Sequence, residues 1–551
     1  MKVIIGCLNS KYIHMSGAPW CLAAGIDAFA KSDIDYEIME STINGDADDF
    51  ARQIIAAAPK VLSFSCYIWN ITQTLYICEK VKSQTNCIIA LGGPEVAYRA
   101  EHVLQNYPFV DYVLSGEGEF CYPAFLDALN GIGEKGEVAG LSYRQDGQIV
   151  SVPEGCFCQT PPSPFSEQYF KALGGRICYI ESSRGCPYRC AFCLSGRVSK
   201  LRFFDLEMTK RDLLRLAQSG TQTIKFVDRT FNANEAHANE ILNFIKENYG
   251  TTIPGGICFH FEIAGDILKE STLEILSLMP KGAVQLEIGM QSFNEATLSA
   301  INRKTDTQKL IKNIKRLLDF QNMHIHIDLI AGLTGEDMES FENSFNIGYG
   351  LGAHMLQMGF LKLLYGADMR ENQQQYPCSF SPDPPYEVTQ TPWLSKAEII
   401  ALKKCEDALD RLYNSGRFLF TLEYLISDIG YTPFRLFYDF GNAVNGQKMS
   451  LGQYAQAVYE YFKDRCDSEI LREKLVCDLL CCSAALQIPP SLKIMHPLHK
   501  RAKKAIAHGK NIKIAICEKS GIIFAADYQS GRDFFGRFRY TLYNLDTCIK
   551  E

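Results

Sequence analysis

The hydrophobic positions of the first 135 residues form short unbroken runs, Val3–Leu8, Val61–Ser65, Ile88–Leu91 and Tyr112–Ser115. Between them lie longer stretches in which apolar residues recur every three or four positions. Runs of that length read as strands buried on both faces, and Trp20–Ala30, Asp46–Ala58, Ile71–Gln84 and Tyr122–Asn130 read as the connecting helices. The alternation predicts an α/β domain over 1–135, a doubly wound, Rossmann-like parallel sheet.

A connection over 136–172 follows. It opens after Gly131-Ile132-Gly133, contains a hairpin of Leu141–Arg144 and Ile149–Val152 around Asp146-Gly147, and ends near Pro161-Pro162-Ser163-Pro164. Residues 173–385 return to alternation, with strands at Ile177–Ser182, Ile224–Val227, Cys258–Ile263, Ala283–Ile288, His324–Ile330 and Met355–Leu361. Six β/α units predict a partial, TIM-like (β/α)6 barrel whose site lies at the carboxyl ends of its strands. From 386 to 551 the pattern becomes mostly helical, at Lys396–Ser415, Leu419–Ile426, Pro433–Gly441, Leu451–Arg465 and Ser468–Ile488. Strands are expected at Ile512–Cys517, Gly521–Ala526 and Arg537–Leu542.

Composition narrows the classes. A net charge of −7 argues against a surface built for nucleic acid. The run His499-Lys500-Arg501-Ala502-Lys503-Lys504 lacks interleaved aromatics for base stacking and reads as a solvated helix face. Twenty-one cysteines would mean disulfides in a secreted chain, yet Met1–Cys7 is too brief an apolar run for a signal peptide and no run of about 18 apolar residues exists. A reducing cytoplasm is expected, with no membrane partner. Cys477, Cys481 and Cys482 read as small core residues, and Cys156-Phe157-Cys158 as incidental.

Three thiols stand apart. Cys186, Cys190 and Cys193 fall within eight residues, after Ser182-Ser183-Arg184-Gly185 and with Pro187-Tyr188-Arg189 and Ala191-Phe192 between them. That spacing lets one loop hold three irons of an iron–sulfur cube and leaves the fourth without a protein ligand. Zinc needs a fourth ligand, and no second pair follows at a suitable distance.

The loop resembles the cluster-binding loop of the radical S-adenosylmethionine (SAM) superfamily, including Phe192 before the third cysteine. The resemblance implies a [4Fe-4S] cluster on these thiols and SAM chelated at the open iron. It also implies reductive cleavage to a 5′-deoxyadenosyl radical, with electrons from a donor such as flavodoxin or ferredoxin. By the same resemblance Phe192, Asp228, Glu262, Glu287 and Gln291 contact SAM, and Arg303 approaches its carboxylate. The segment Ile330–Glu336 is close to the family's Gly-Leu-Pro-Gly-Glu, with Thr334 in place of proline. Val227-Asp228-Arg229 replaces the Gly-Gly-Glu of many relatives.

The strand ends of the first domain complete the pattern. Ser65-Cys66-Tyr67-Ile68-Trp69-Asn70, Gly92-Gly93-Pro94-Glu95 and Gly116-Glu117-Gly118-Glu119 resemble the cobalamin-binding domain of the cobalamin-dependent radical SAM group. Ser65, Tyr67, Asn70, Gly92, Gly93, Pro94, Gly116 and Glu117 would then line the corrin and its nucleotide tail. His14-Met15-Ser16-Gly17 keeps the His and Gly of the mutase-type Asp-x-His-x-x-Gly loop and lacks its Asp. This leaves two readings, His14 as lower axial ligand or a cleft histidine beside base-off cobalamin.

These parts predict an enzyme that methylates an unactivated carbon. A radical rearrangement or ring contraction uses the same parts. A non-catalytic cobalamin or redox sensor would not need the SAM-contact strand ends. RNA methylthiolation would need a three-cysteine constellation that the first domain lacks.

Overall fold

The seven-stranded sheet that opens the chain is built on the apolar runs. The structure, a computed structural model, describes residues 1–155, 157, 159–197, 201–507, 511–533 and 535–546. Cys156 and Cys158 lie outside the described residues. The chain divides into two compact units. The first comprises 1–289, 296–323 and 360–389; the second comprises 290–295, 324–359 and the chain from Gln390 onward.

In the first unit, β1 (Lys2–Asn9), β2 (Asp35–Thr42), β3 (Val61–Ser65), β4 (Ile88–Gly92) and β5 (Tyr112–Leu114) pair in parallel. β6 (Leu141–Gln145) and β7 (Gln148–Ser151) extend the sheet antiparallel, giving the order β2-β1-β3-β4-β5-β6-β7. The hairpin expected in the 136–172 connection is therefore the edge of this sheet. Successive residues of a strand serve opposite faces. Ile4, Leu62 and Ile89 pack with Phe50, Ile54 and Val81 from Ala47–Ala57 and Ile71–Gln84. Val3, Ile5 and Val61 pack with Ala23, Ile26 and Phe125 from Ala18–Phe29 and Gly118–Leu129. The chain steps from β1 to β2 on one side and to β3 on the other, and open α/β sheets bind ligands at such a switch point.

The same unit holds β8 (Cys178–Ile180), the short pair β9 (Ser183–Arg184) and β10 (Arg202–Phe203), then β11 (Thr223–Phe226), β12 (Cys258–Ile263) and β13 (Val284–Gln291). β8, β11, β12 and β13 are neighbours in that order, all parallel. One face packs on helices: Phe261, Ile263 and Leu286 border one small apolar gap with Ala238, Leu242 and Leu276 of Glu235–Asn248 and Glu270–Ser277.

The second unit holds β14 (His324–Ala331) and β15 (Met355–Phe360), which complete six β/α repeats along the chain, then a largely helical part. Its helices start on side-chain caps, such as the Ser395/Glu398 and Ser450/Gln453 boxes. The helix expected to reach Ile488 ends at Cys482, where Ser483 turns to extended backbone. Cys477 and Cys481 are buried and Cys482 is half-buried. Asp478 at their centre accepts from the Phe420 and Thr421 amides, which opens the helix at Leu419. Helix His499–Ala507 sets Ala502 and Ile506 on a three-stranded antiparallel sheet and leaves Lys500, Arg501, Lys503 and Lys504 exposed. No described helix is long and apolar enough to cross a membrane.

Candidate functional site

Polar residues and glycines gather at the carboxyl ends of β1, β3, β4 and β5 around a cavity of about 1250 Å3. This exceeds the usual range for drug-sized ligands. Ser65, Tyr67, Asn70, Gly92, Gly93, Pro94, Gly116 and Glu117 all line it. Gly93 sits at φ +91°, and a Cβ there would come within 2.7 Å of the Cys66 carbonyl oxygen. Only glycine permits that approach. The Asn70 amide is spent inside the loop, where Oδ1 accepts from Tyr67 N at 2.8 Å and Nδ2 donates to Ser65 O at 3.0 Å. It shapes the wall. Tyr67 stacks on Trp69 with ring centroids 4.4 Å apart, offering a flat apolar surface. A large planar ligand that needs backbone contact fits this set.

The barrel strands and the loops after them line the same cavity with Tyr179, Glu181, Arg184 and Arg229. His14 lies along the free edge of β8. Met15 N donates to Ile177 O, Ile177 N donates to Ile13 O, and His14 Nδ1 is 2.6 Å from the Tyr179 hydroxyl. Tyr179 thus gives the ring the partner that the missing Asp would have given. Burial first, then Lys225 and Lys11, lower the His14 pKa, so the ring is neutral at pH 7.

The cysteine loop is held from several sides. Gly185, at φ +102°, turns the chain into Cys186. Ala191, fully buried, donates its amide to Ile301 O and accepts from Met369 N. Cys190 is buried, whereas Cys186 and Cys193 are partly exposed, and all three are free thiols. Burial raises the Cys190 pKa, and the Arg303 guanidinium, with Nη1 3.7 Å from its sulfur, opposes the rise. Three unpaired thiols on one pinned loop beside a cation suit an anionic cluster.

The residues expected to contact SAM separate. Glu262 and Glu287 face each other across β12 and β13, both half-buried, and His260 Nε2 is 3.0 Å from Glu287 Oε2. Phe192 is half-buried in the cysteine loop. Gln291 ends β13 at φ +70°, a conformation rare for a residue with a side chain and frequent at functional sites. Asp228 follows β11. Its carboxylate is fully buried and accepts from Ser182 N, Ser182 Oγ and Ser183 Oγ. It braces the entry to the cysteine loop. Arg303 is likewise directed at Cys190 and at Gly289 O.

Arg184, which no sequence motif singles out, is a hub. It pairs with Glu117, with Glu119 at 2.8 Å and with Glu181 at 2.6 Å, and Arg202 shares Glu117 at 2.7 Å. The pairings with Glu117 and Glu119, across such sequence distance, leave no local pattern.

A B12 binding domain matches residues 13–126, the radical SAM superfamily matches 180–347, and a family described as protein of unknown function (DUF4080) matches 374–529. The cobalamin-dependent radical SAM methyltransferase TokK of Streptomyces tokunonensis is 26% identical over 317 residues, 52% of this chain and 44% of that protein. Hopanoid C-3 methylase of Methylococcus capsulatus is 27% identical over 324 residues, 56% of this chain and 59% of that protein. The chain spans about half the length of the curated relatives it matches. The radical SAM methyltransferase TsrM from Kitasatospora setae, solved with cobalamin and a [4Fe-4S] cluster bound, shares the fold with a TM-score of 0.59 at 15% identity, covering 69% of this chain and 76% of that one. A B12-type sheet followed by a radical SAM barrel defines a class built for two cofactors. The chain carries these two domains in that order, a B12 binding domain and then a radical SAM domain.

Proposed function

We propose that this chain is a radical SAM enzyme that binds cobalamin and methylates an unactivated carbon of its substrate. Cys186, Cys190 and Cys193 would hold a [4Fe-4S] cluster. Glu262, Glu287, Gln291 and Phe192 would flank SAM, and the eight strand-end residues around Gly93 would hold cobalamin. When bound, these groups supply one-electron cleavage of SAM and a transferable methyl group. The protein's own part is placement. Asp228 and the bonds at Ala191 fix the cysteine loop, Arg303 favours the thiolate of Cys190, and Tyr67 stacked on Trp69 offers a flat face.

The observation that supports this reading best is the joining of the two parts within one compact unit. Arg184, two residues before Cys186, is ion-paired to Glu117 and Glu119 beside the cavity. The reaction would take electrons from a low-potential donor such as flavodoxin or ferredoxin, in a reducing cytoplasm that keeps the thiols free.

The test is anaerobic reconstitution with iron, sulfide and cobalamin, followed by SAM and a low-potential reductant. Formation of 5′-deoxyadenosine together with S-adenosylhomocysteine supports methyl transfer. Deoxyadenosine alone, with substrate present, points to rearrangement. Neither product from a protein with an intact cluster defeats the proposal and favours a sensor.

A further inference from the structure

We propose that the inner face of the barrel sheet binds an anionic group of the substrate, a carboxylate or phosphate, with Lys225 as its counter-charge. The inference rests on reading this barrel as the reaction chamber.

Alternation divides each strand between two faces. Phe261, Ile263 and Leu286 face the helices, so Tyr179, Lys225, His260 and Gln285 belong to the other face. The ladder aligns them: Lys225 pairs with Tyr179 on one side and His260 on the other, and His260 pairs with Gln285. His14 extends the row through its bond to Tyr179. Barrel interiors are usually filled by layers of Val, Ile and Leu. This layer is polar throughout.

Three of its groups are open. Lys225, half-buried, makes no hydrogen bond or ion pair among the described residues, and neither does the Gln285 amide. His260 is 3% exposed, and its Nδ1 is buried without a partner among the described residues. A polar group withdrawn from water is costly unless something satisfies it. The cavity reaches the row at His14 and Tyr179, so a ligand has a path to it.

The open groups specify the ligand. The ammonium asks for an anion. His260 Nε2 faces the Glu287 carboxylate at 3.0 Å, and in the tautomer that donates there Nδ1 is an acceptor. The matching ligand carries a carboxylate or phosphate beside a hydroxyl or amine. A hydrocarbon substrate would leave all three groups unmatched.

The test reads binding to the full-length reconstituted protein with two probes. Glycolate, a carboxylate with an adjacent hydroxyl, is followed by saturation-transfer NMR, and inorganic phosphate by its 31P line width. Wild type should bind at least one probe saturably. Lys225→Met should weaken that binding at least tenfold, and Lys225→Arg should stay within about threefold of wild type. Lys500→Met, on the exposed helix, should change nothing. Glycolate binding alone assigns a carboxylate substrate, and phosphate binding alone a phosphate ester. No binding by wild type, or equal effects of Lys225→Met and Lys500→Met, overturns the proposal. If Lys225→Met does not fold, Gln285→Leu should still weaken the bound probe, and an unchanged affinity overturns it. Deoxyadenosine formation is assayed separately, so failure of this site and failure of the radical reading are distinguishable.

Discussion

Arg184 Nη1 lies 2.8 Å from Glu119 Oε1, joining the strand that leads into the cysteine loop to the first turn of helix Gly118–Leu129. Glu119 is 5% exposed, and removing a buried carboxylate's counter-charge leaves an ion with no compensation. Arg184→Met should destabilise the first unit by about 3 kcal/mol, the low end for a broken buried pair because Arg184 is partly exposed. Iron should also leave the reconstituted protein faster under a chelator. Arg184→Lys should rescue little, since a point charge cannot serve three carboxylates as a guanidinium does. Unchanged melting and iron release would mean that the network is incidental.

Asp228 makes a second prediction about the same loop. Burial raises its pKa to about 6, and the Ser182 and Ser183 hydrogen bonds oppose the rise. Asp228→Asn keeps the volume and loses acceptors for Ser182 N, Ser182 Oγ or Ser183 Oγ. A buried donor left unsatisfied costs about 1–3 kcal/mol. Amides over 180–186 should exchange hydrogen markedly faster in the variant, with the amides of β1 and β3 unchanged.

What is legible in the chain follows from which interactions are local. β1, β3 and β4 are buried on both faces and read as continuous apolar runs, which makes them recognisable. β2, Asp35-Tyr36-Glu37-Ile38-Met39-Glu40-Ser41-Thr42, is a half-exposed edge strand, and its charges hide it. The three cysteines are readable because one loop supplies them all. Arg184 and the His14–Tyr179 contact are not, since each depends on segments that meet only in the fold. Asp228 shows in the sequence as a strand-end carboxylate, and its bonds to Ser182 and Ser183 show only in the fold.

Gly93 tests the cavity. Its φ of +91°, and the 2.7 Å that would separate an added Cβ from the Cys66 carbonyl oxygen, mean that any side chain must displace the loop bearing Tyr67. Gly93→Ala should weaken cobalamin binding at least tenfold, measured by the visible absorbance of the corrin. Gly131→Ala, also at positive φ but with open space around it, is the control for backbone strain alone and should bind as wild type. Equal effects of the two substitutions would remove Gly93 from the cavity's function.

Glu336 makes the pH-dependent case in the second unit. It is fully buried; Ser292 Oγ and Ser344 Oγ donate to Oε1, while Oε2 has no partner among the described residues. Burial raises its pKa to about 7; the two serine bonds oppose the rise, and Asp337 adds to it. An acid whose pKa rises on folding binds more protons folded than unfolded between its two pKa values. Stability is therefore full below about 4.5 and falls as pH climbs to about 7. At 1.36 kcal/mol per unit the loss is of order 3 kcal/mol. Glu336→Gln does not titrate. The melting temperature of wild type minus that of Glu336→Gln, taken at pH 5.5, 6.5 and 7.5, should fall steadily. A flat difference would mean that Glu336 titrates as an ordinary carboxylate and that water reaches Oε2.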